Sequence, residues 1–137
     1  MHTFDDLMKI MAKLRSDDGC PWDRKQTFES LKTCLKDETE EVFQAVDSQD
    51  MENLCEELGD VLMLIAMYGQ IASESRLFTI QDVIQGVCEK MIRRHPHVFG
   101  TVQVKSPEES LNLWNEIKRQ EKEEKAAQKS KENSKKP

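Results

Sequence analysis

A chain of 137 residues is long enough to bury a core as one domain without disulfide staples. Its net charge of −6 is uneven: residues 119–137 carry seven Lys or Arg against four Glu, a surplus of +3 that leaves the body at −9. An acidic body argues against nucleic acid as the main partner, because phosphate contacts need clustered cations. The longest strongly apolar run, Val61 to Tyr68, is far too short to span a membrane. Cys20, Cys34, Cys55 and Cys88 contain no C-x-x-C pair and follow no charged-then-apolar leader, which points to a reducing cytoplasm.

Phe4, Leu7, Met8, Met11 and Leu14 recur at helical spacing, with Asp5 and Asp6 in the first turn of a helix over 3–16. The stretch DDGCPWDRKQT reads as a loop broken by Gly19 and Pro21. Thr27 caps a second helix to about Ser48, and Asp50 a third to about Ser75. Thr79-x-x-Asp82 opens a fourth that ends by His95, since Pro96 cannot continue it. Ser106-Pro107-Glu108-Glu109 is the strongest helix start, and Leu111, Leu113, Trp114 and Ile117 follow it. Beyond residue 118 the only apolar residues are two alanines, so 119–137 is expected to be a frayed or disordered tail after a domain spanning 1–118. With no alternating strand pattern, the fold class is all-α: a bundle of about five helices.

The acidic character concentrates between Asp37 and Asp60, which hold ten carboxylates, while 37–75 contains no Lys or Arg. Glu38-x-x-Glu41 and Glu57-x-x-Asp60 each aim two carboxylates from one helix face. On a wheel with Leu31 at zero, Val42 falls near about 20°, Leu35 near about 40° and Glu38 near about 340°. Glu38 therefore sits inside the apolar stripe. Glu41, near about 280°, lies at its edge, and Glu40, near about 180°, faces away. On the next helix the stripe counted from Leu54 runs through Leu58, Val61, Ile65 and Ala72, with Glu57 about 60° from its centre and Asp60 a further step out. Met63, Leu64 and Met67 make that helix apolar nearly all round, so it is central in a bundle or shared with a second subunit.

Solvated faces account for Glu40, Asp47, Asp50 and Glu52. They do not account for Glu38, because an ionised carboxylate in an apolar stripe must be paired, neutralised or coordinated. Four carboxylates without His or Cys at ligand spacing suit Mg²⁺ or Mn²⁺ rather than zinc. A di-iron bundle would need Glu-x-x-His, and no His lies between His2 and His95. Carboxylate-held Mg²⁺ commonly serves phosphate-bearing substrates, yet the Gly-x-x-x-x-Gly-Lys loop is absent. Lys90 and Arg94 share a helix face and read either as phosphate ligands or as a pair answering the helix dipole. Trp114 and Lys118 read either as a base-stacking ring with a phosphate-reaching amine or as a core Trp with a surface Lys. Trp22 in the Cys-Pro-Trp-Asp loop is either a lid or a core plug. His95 and His97, flanking Pro96, make a weak metal signal.

Five segments, LRSDDGCPWDRKQTFESL (14–31), DETEEVFQAV (37–46), LCEELGDVLMLIAMYGQIASES (54–75), FTIQDVIQGVCEKMIRRHPHVFG (78–100) and WNEIKRQEK (114–122), together resemble the MazG-type nucleoside triphosphate pyrophosphohydrolases. The family's E-E-x-x-E … E-x-x-D signature falls on Asp37-Glu38-x-x-Glu41 and Glu57-x-x-Asp60, with Asp37 in place of the first Glu. The resemblance implies an all-α, intertwined homodimer or higher homo-oligomer, with a metal site between two antiparallel helices. It also implies Mg²⁺-dependent hydrolysis of nucleoside triphosphates to monophosphate and pyrophosphate, in nucleotide-pool housekeeping. It assigns Glu38, Glu41, Glu57 and Asp60 to metal and catalysis, and Lys90, Arg94, Trp114 and Lys118 to substrate. Asp37 and Trp22 are further candidates, with Asp37 or Glu41 as proton acceptor. The alternatives are a narrower enzyme for dUTP, dCTP, a modified nucleotide or an alarmone, and a non-catalytic nucleotide-binding dimer.

Overall fold

The computed structural model describes residues 1–136 and is all-helical among them. Seven helices run in order: α1 (Phe4–Leu14), α2 (Pro21–Lys25), α3 (Leu31–Asp47), α4 (Met51–Glu74), α5 (Ile80–Arg94), α6 (Pro96–Phe99) and α7 (Pro107–Ser134). The two beyond the expected five are short and proline-started. Pro21 opens α2 inside the predicted loop and Pro96 opens α6 after stopping α5, because proline fits the first helical position, where its missing N–H is not needed.

The helix starts follow local chemistry. Thr3 and Asp6 form a reciprocal capping box on α1, Thr79 and Asp82 do the same before α5, and Asp50 accepts from the Asn53 amide at the start of α4. Thr27 does not cap α3 directly: it exchanges bonds with Ser30, and the helix begins at Leu31. Ser106 caps α7, whereas the Glu109 carboxylate reaches back to the Lys105 amide at 2.6 Å.

The chain forms two compact units, Met1–Val83 and a second from Ile84 onward. In the first, α3 and α4 form an antiparallel hairpin through a three-residue turn, and α1 packs on α4. Their core is Met11, Leu31, Leu64, Ala66, Met67 and Ile71. Burying a side chain such as Leu31 or Met67 contributes about 1.5–3 kcal/mol. Arg15 ties the short α2 segment to this core. Its guanidinium donates to the Asp23 carbonyl at 2.6 Å, the Gln26 carbonyl at 3.1 Å and both Glu74 carboxylate oxygens. Gly19 lies against the end of α1, where a Cβ would stand 2.3 Å from the Leu14 carbonyl oxygen. The start of α3 is held by Tyr68, which donates to the Phe28 carbonyl at 3.0 Å and stacks on its ring.

In the second unit no residue of α6 or α7 is buried. Its fixed points are polar: Glu121 of α7 accepts from Arg93 and Arg94 at the end of α5. The expected frayed tail is instead helical to Ser134. Arg119 pairs with Glu116 and Glu123 one turn to either side, which supports helix without apolar burial.

Candidate functional site

The hairpin register places Glu38 and Glu41 of α3 beside Glu57 of α4. One carboxylate oxygen from each lies within 4.8 Å of the other two. Glu57 is buried, Glu38 half-buried and Glu41 exposed, so the cluster opens to solvent on one side. Two buried oxygens, Glu38 Oε2 and Glu57 Oε2, have no hydrogen-bond partner among the described residues. A buried carboxylate oxygen without a donor is costly, and no basic residue lies anywhere in 37–75 to supply one.

Without a basic neighbour, these carboxyls hold protons more tightly than usual. Hydrogen-bonding contact with Glu41 pushes the Glu57 carboxyl up to about 8, and burial, contact with Glu38 and the negative charge of both neighbours add to the shift. Glu38 is raised chiefly by burial, then by contact with Glu41 and the charges of Asp60 and Glu41, with the Glu57 hydrogen bond opposing. Asp60, half-buried one turn beyond Glu57, is thus close enough for its charge to be felt at Glu38, although it lies outside the three-carboxylate cluster. An all-oxygen donor set with orphaned inward oxygens fits a hard divalent cation.

Glu38 occupies the buried stripe with Leu31 and Ala45, as its spacing predicts. The expectation for α4 needs correction. Of the stripe drawn from Leu54 through Leu58, Val61, Ile65 and Ala72, Ala72 is fully buried and Leu54 and Val61 are half-buried. Leu58 and Ile65 are exposed, at 52% and 39%, and the centre of the buried face shifts toward Glu57, Leu64, Met67 and Ile71. A helix apolar nearly all round gives periodicity two faces to choose from, and Glu57 lies on the face this chain buries.

The remaining candidates are placed separately. Asp37 is exposed on α3, and Trp22 is 58% exposed on α2, which rules out the core-plug reading of that ring in this chain. In the second unit, the Arg94 guanidinium lies 4.8 Å from the centre of the Trp114 ring, so one indole face carries a cation. His95 meets the same ring edge-on at 5.3 Å. Lys90 and Lys118 are exposed, one turn from Arg94 and from Trp114 respectively. Sequence reasoning missed Glu121, which grips Arg93 and Arg94 and whose carboxyl is held down to about 2 by those guanidiniums. A signal existed: Glu121 is seven residues after Trp114 and shares its helix face. A surface hollow of about 600 Å³ runs along Leu35, Lys36, Thr39, Glu40 and Phe43, on the side of α3 turned from Glu38 and Glu41.

Comparison with known proteins places these residues in a family. The chain is 52% identical over 119 residues to a protein of Thermotoga maritima named nucleoside triphosphate pyrophosphohydrolase/pyrophosphatase MazG, covering 87% of this chain and 45% of that one. It is 39% identical over 127 residues to the nucleoside triphosphate pyrophosphohydrolase of Escherichia coli K12, covering 92% and 48%. YabN of Bacillus subtilis is 46% identical over 121 residues, covering 88% and 25%. The chain thus spans between a quarter and about half the length of these relatives. The fold matches the crystal structure of a mazG-related protein from Thermotoga maritima with a TM-score of 0.69 at 34% identity, over 84% of this chain and 98% of that one. Residues 26–99, which include all five acids at the signature positions together with Lys90 and Arg94, match the MazG nucleotide pyrophosphohydrolase domain, and the chain belongs to that family.

Proposed function

We propose that the chain is a Mg²⁺-dependent nucleoside triphosphate pyrophosphohydrolase, releasing monophosphate and pyrophosphate in nucleotide-pool housekeeping in the cytoplasm. The observation that carries this reading is the Glu38–Glu41–Glu57 cluster with its two orphaned buried oxygens, in a chain of this family. Glu38, Glu41, Glu57 and Asp60 would hold Mg²⁺, or Mn²⁺ in its place. When bound, such a cation supplies positive charge to phosphate oxygens and acidifies water.

The chain's own residues supply the rest. Water attacks phosphorus, the bond to the bridging oxygen breaks, and pyrophosphate leaves with the electron pair. Glu41 is the solvent-open member of the cluster and is the candidate to accept the water proton, with Asp37 as its exposed neighbour. Arg94, Lys90 and Lys118 stabilise charge gathering on the leaving pyrophosphate. Trp114 offers the nucleobase the indole surface that Arg94 leaves open.

Homodimerisation belongs to the same reading. Leu58, Leu62 and Ile65 form a stripe on α4 with exposures of 52%, 42% and 39%, which a second copy would cover.

The test is a panel of the common ribo- and deoxyribonucleoside triphosphates, with and without Mg²⁺, resolving pyrophosphate from orthophosphate. The expected result is pyrophosphate plus monophosphate from several bases, only with the metal. Turnover confined to one base would make the enzyme a narrow one, and metal-dependent binding without turnover would overturn the enzymatic reading.

A further inference from the structure

Arg94 ends α5 with its side chain only 11% exposed, yet it is the cation the proposed reaction asks to meet a phosphate. Its geometry is fixed on two sides. The guanidinium carbon lies over the Trp114 ring, 4.8 Å from its centre. Glu121 Oε2 accepts from Arg94 Nε at 3.2 Å and Nη2 at 2.8 Å, so the carboxylate occupies one edge of the fork. Nη1 has no partner among the described residues and keeps both of its hydrogens free. Glu121 is itself confined, 15% exposed and bonded through its other oxygen to Arg93.

We propose that Glu121 is a positioning residue: it holds Arg94 over Trp114 so that the free Nη1 edge is presented, preorganised, to the polyphosphate of the substrate. The inference rests on the pyrophosphohydrolase reading for what Arg94 meets, but not for the clamp itself. A free arginine at a helix end samples many rotamers, and ordering it only when substrate arrives would subtract from binding. The carboxylate does that ordering beforehand. Two guanidiniums share this carboxylate, and Glu89 and Glu124 add negative charge beside Arg93, so the anion is met by the free Nη1 edge of Arg94 rather than by a general surplus of positive charge.

The experiment compares the full chain with Glu121→Gln, Arg94→Ala and the double variant, using ATP with Mg²⁺ and reading pyrophosphate. Glu121→Gln is expected to lower kcat/KM about 10- to 100-fold, the scale of a misplaced binding group. Glu121→Asp, which restores the charge, should recover part of it. In the Arg94→Ala background, adding Glu121→Gln should change kcat/KM less than about twofold, because the group it positions is gone. Equal losses in both backgrounds, or a wild-type value in Glu121→Gln, would overturn the proposal.

Should the unaltered chain release no pyrophosphate, the enzymatic reading fails, and affinity for ATP carrying an α,β-methylene bridge is compared across the same four proteins. A non-additive loss then still supports the clamp. Equal affinities of wild type and Glu121→Gln, or no binding by wild type, overturn it.

Discussion

A carboxyl raised to about 8 among two other carboxyls keeps its proton at neutral pH, and the cation of the proposed reaction would have to displace it. The consequence for stability has a definite sign. Between the ordinary Glu value of 4.5 and about 8 the folded chain holds a proton at Glu57 that the unfolded chain has lost. Stability from this group is therefore complete below 4.5 and is lost as pH rises through about 8. Thermal unfolding without divalent metal should show a Tm that falls across this window, and Glu57→Gln should flatten the fall. A Tm with the same pH slope in both proteins would place the strain elsewhere. How far such residues were legible depended on contrast. Glu38 stands out because its stripe is otherwise apolar, whereas on α4, apolar nearly all round, the centre of the buried face lies nearer Glu57 than the spacing indicates. Glu121 stayed hidden because the apolar pattern ends at Ile117, so a carboxylate four residues later looked like solvated charge.

At the scale of elements, the α3–α4 hairpin sets the register that brings Glu38, Glu41 and Glu57 together, and its turn carries a local strain. Gln49 has φ of 57°, and the Asp50 amide bonds back to the Ala45 carbonyl at 3.0 Å, the pattern that normally takes glycine. Gln49→Gly should stabilise the chain by about 0.5–1 kcal/mol, the αL penalty less the entropy cost of glycine. Chemical denaturation measures this, and a destabilised variant would show that the Gln49 side chain makes a contact worth more than the strain. Caps at Asp50, Thr79 and Ser106 were readable because their chemistry is local. The short α2 and α6 had the same kind of signal, proline at the first helical position, but it was outweighed by the breaker role of Pro21 and Pro96. The length of α7 was not readable from hydrophobicity, since ion pairs around Arg119 rather than burial support its continuation.

For the molecule as a whole, exposed apolar surface lies on α4, the helix that the sequence makes either central in a bundle or shared with a second subunit, and burial is sparse in the helices after it. Leu58, Leu62 and Ile65 line one face of α4, and α5, α6 and α7 bury no residue. The proposed dimer covers such surface, and sedimentation should report a dimer for the wild type and a smaller species for Leu62→Glu, which puts a charge into the stripe. A wild-type monomer would leave that face without its proposed occupant. The carboxylate cluster sets stability against chemistry in one side chain, and this gives the account its most direct test. Pyrophosphate release from a nucleoside triphosphate in Mg²⁺ should be measured for wild type and for Glu57→Gln. The account predicts a folded variant, more stable than wild type above pH of about 8 without metal, whose activity is lower by about 100-fold or more. A folded Glu57→Gln that releases pyrophosphate at the wild-type rate would contradict it.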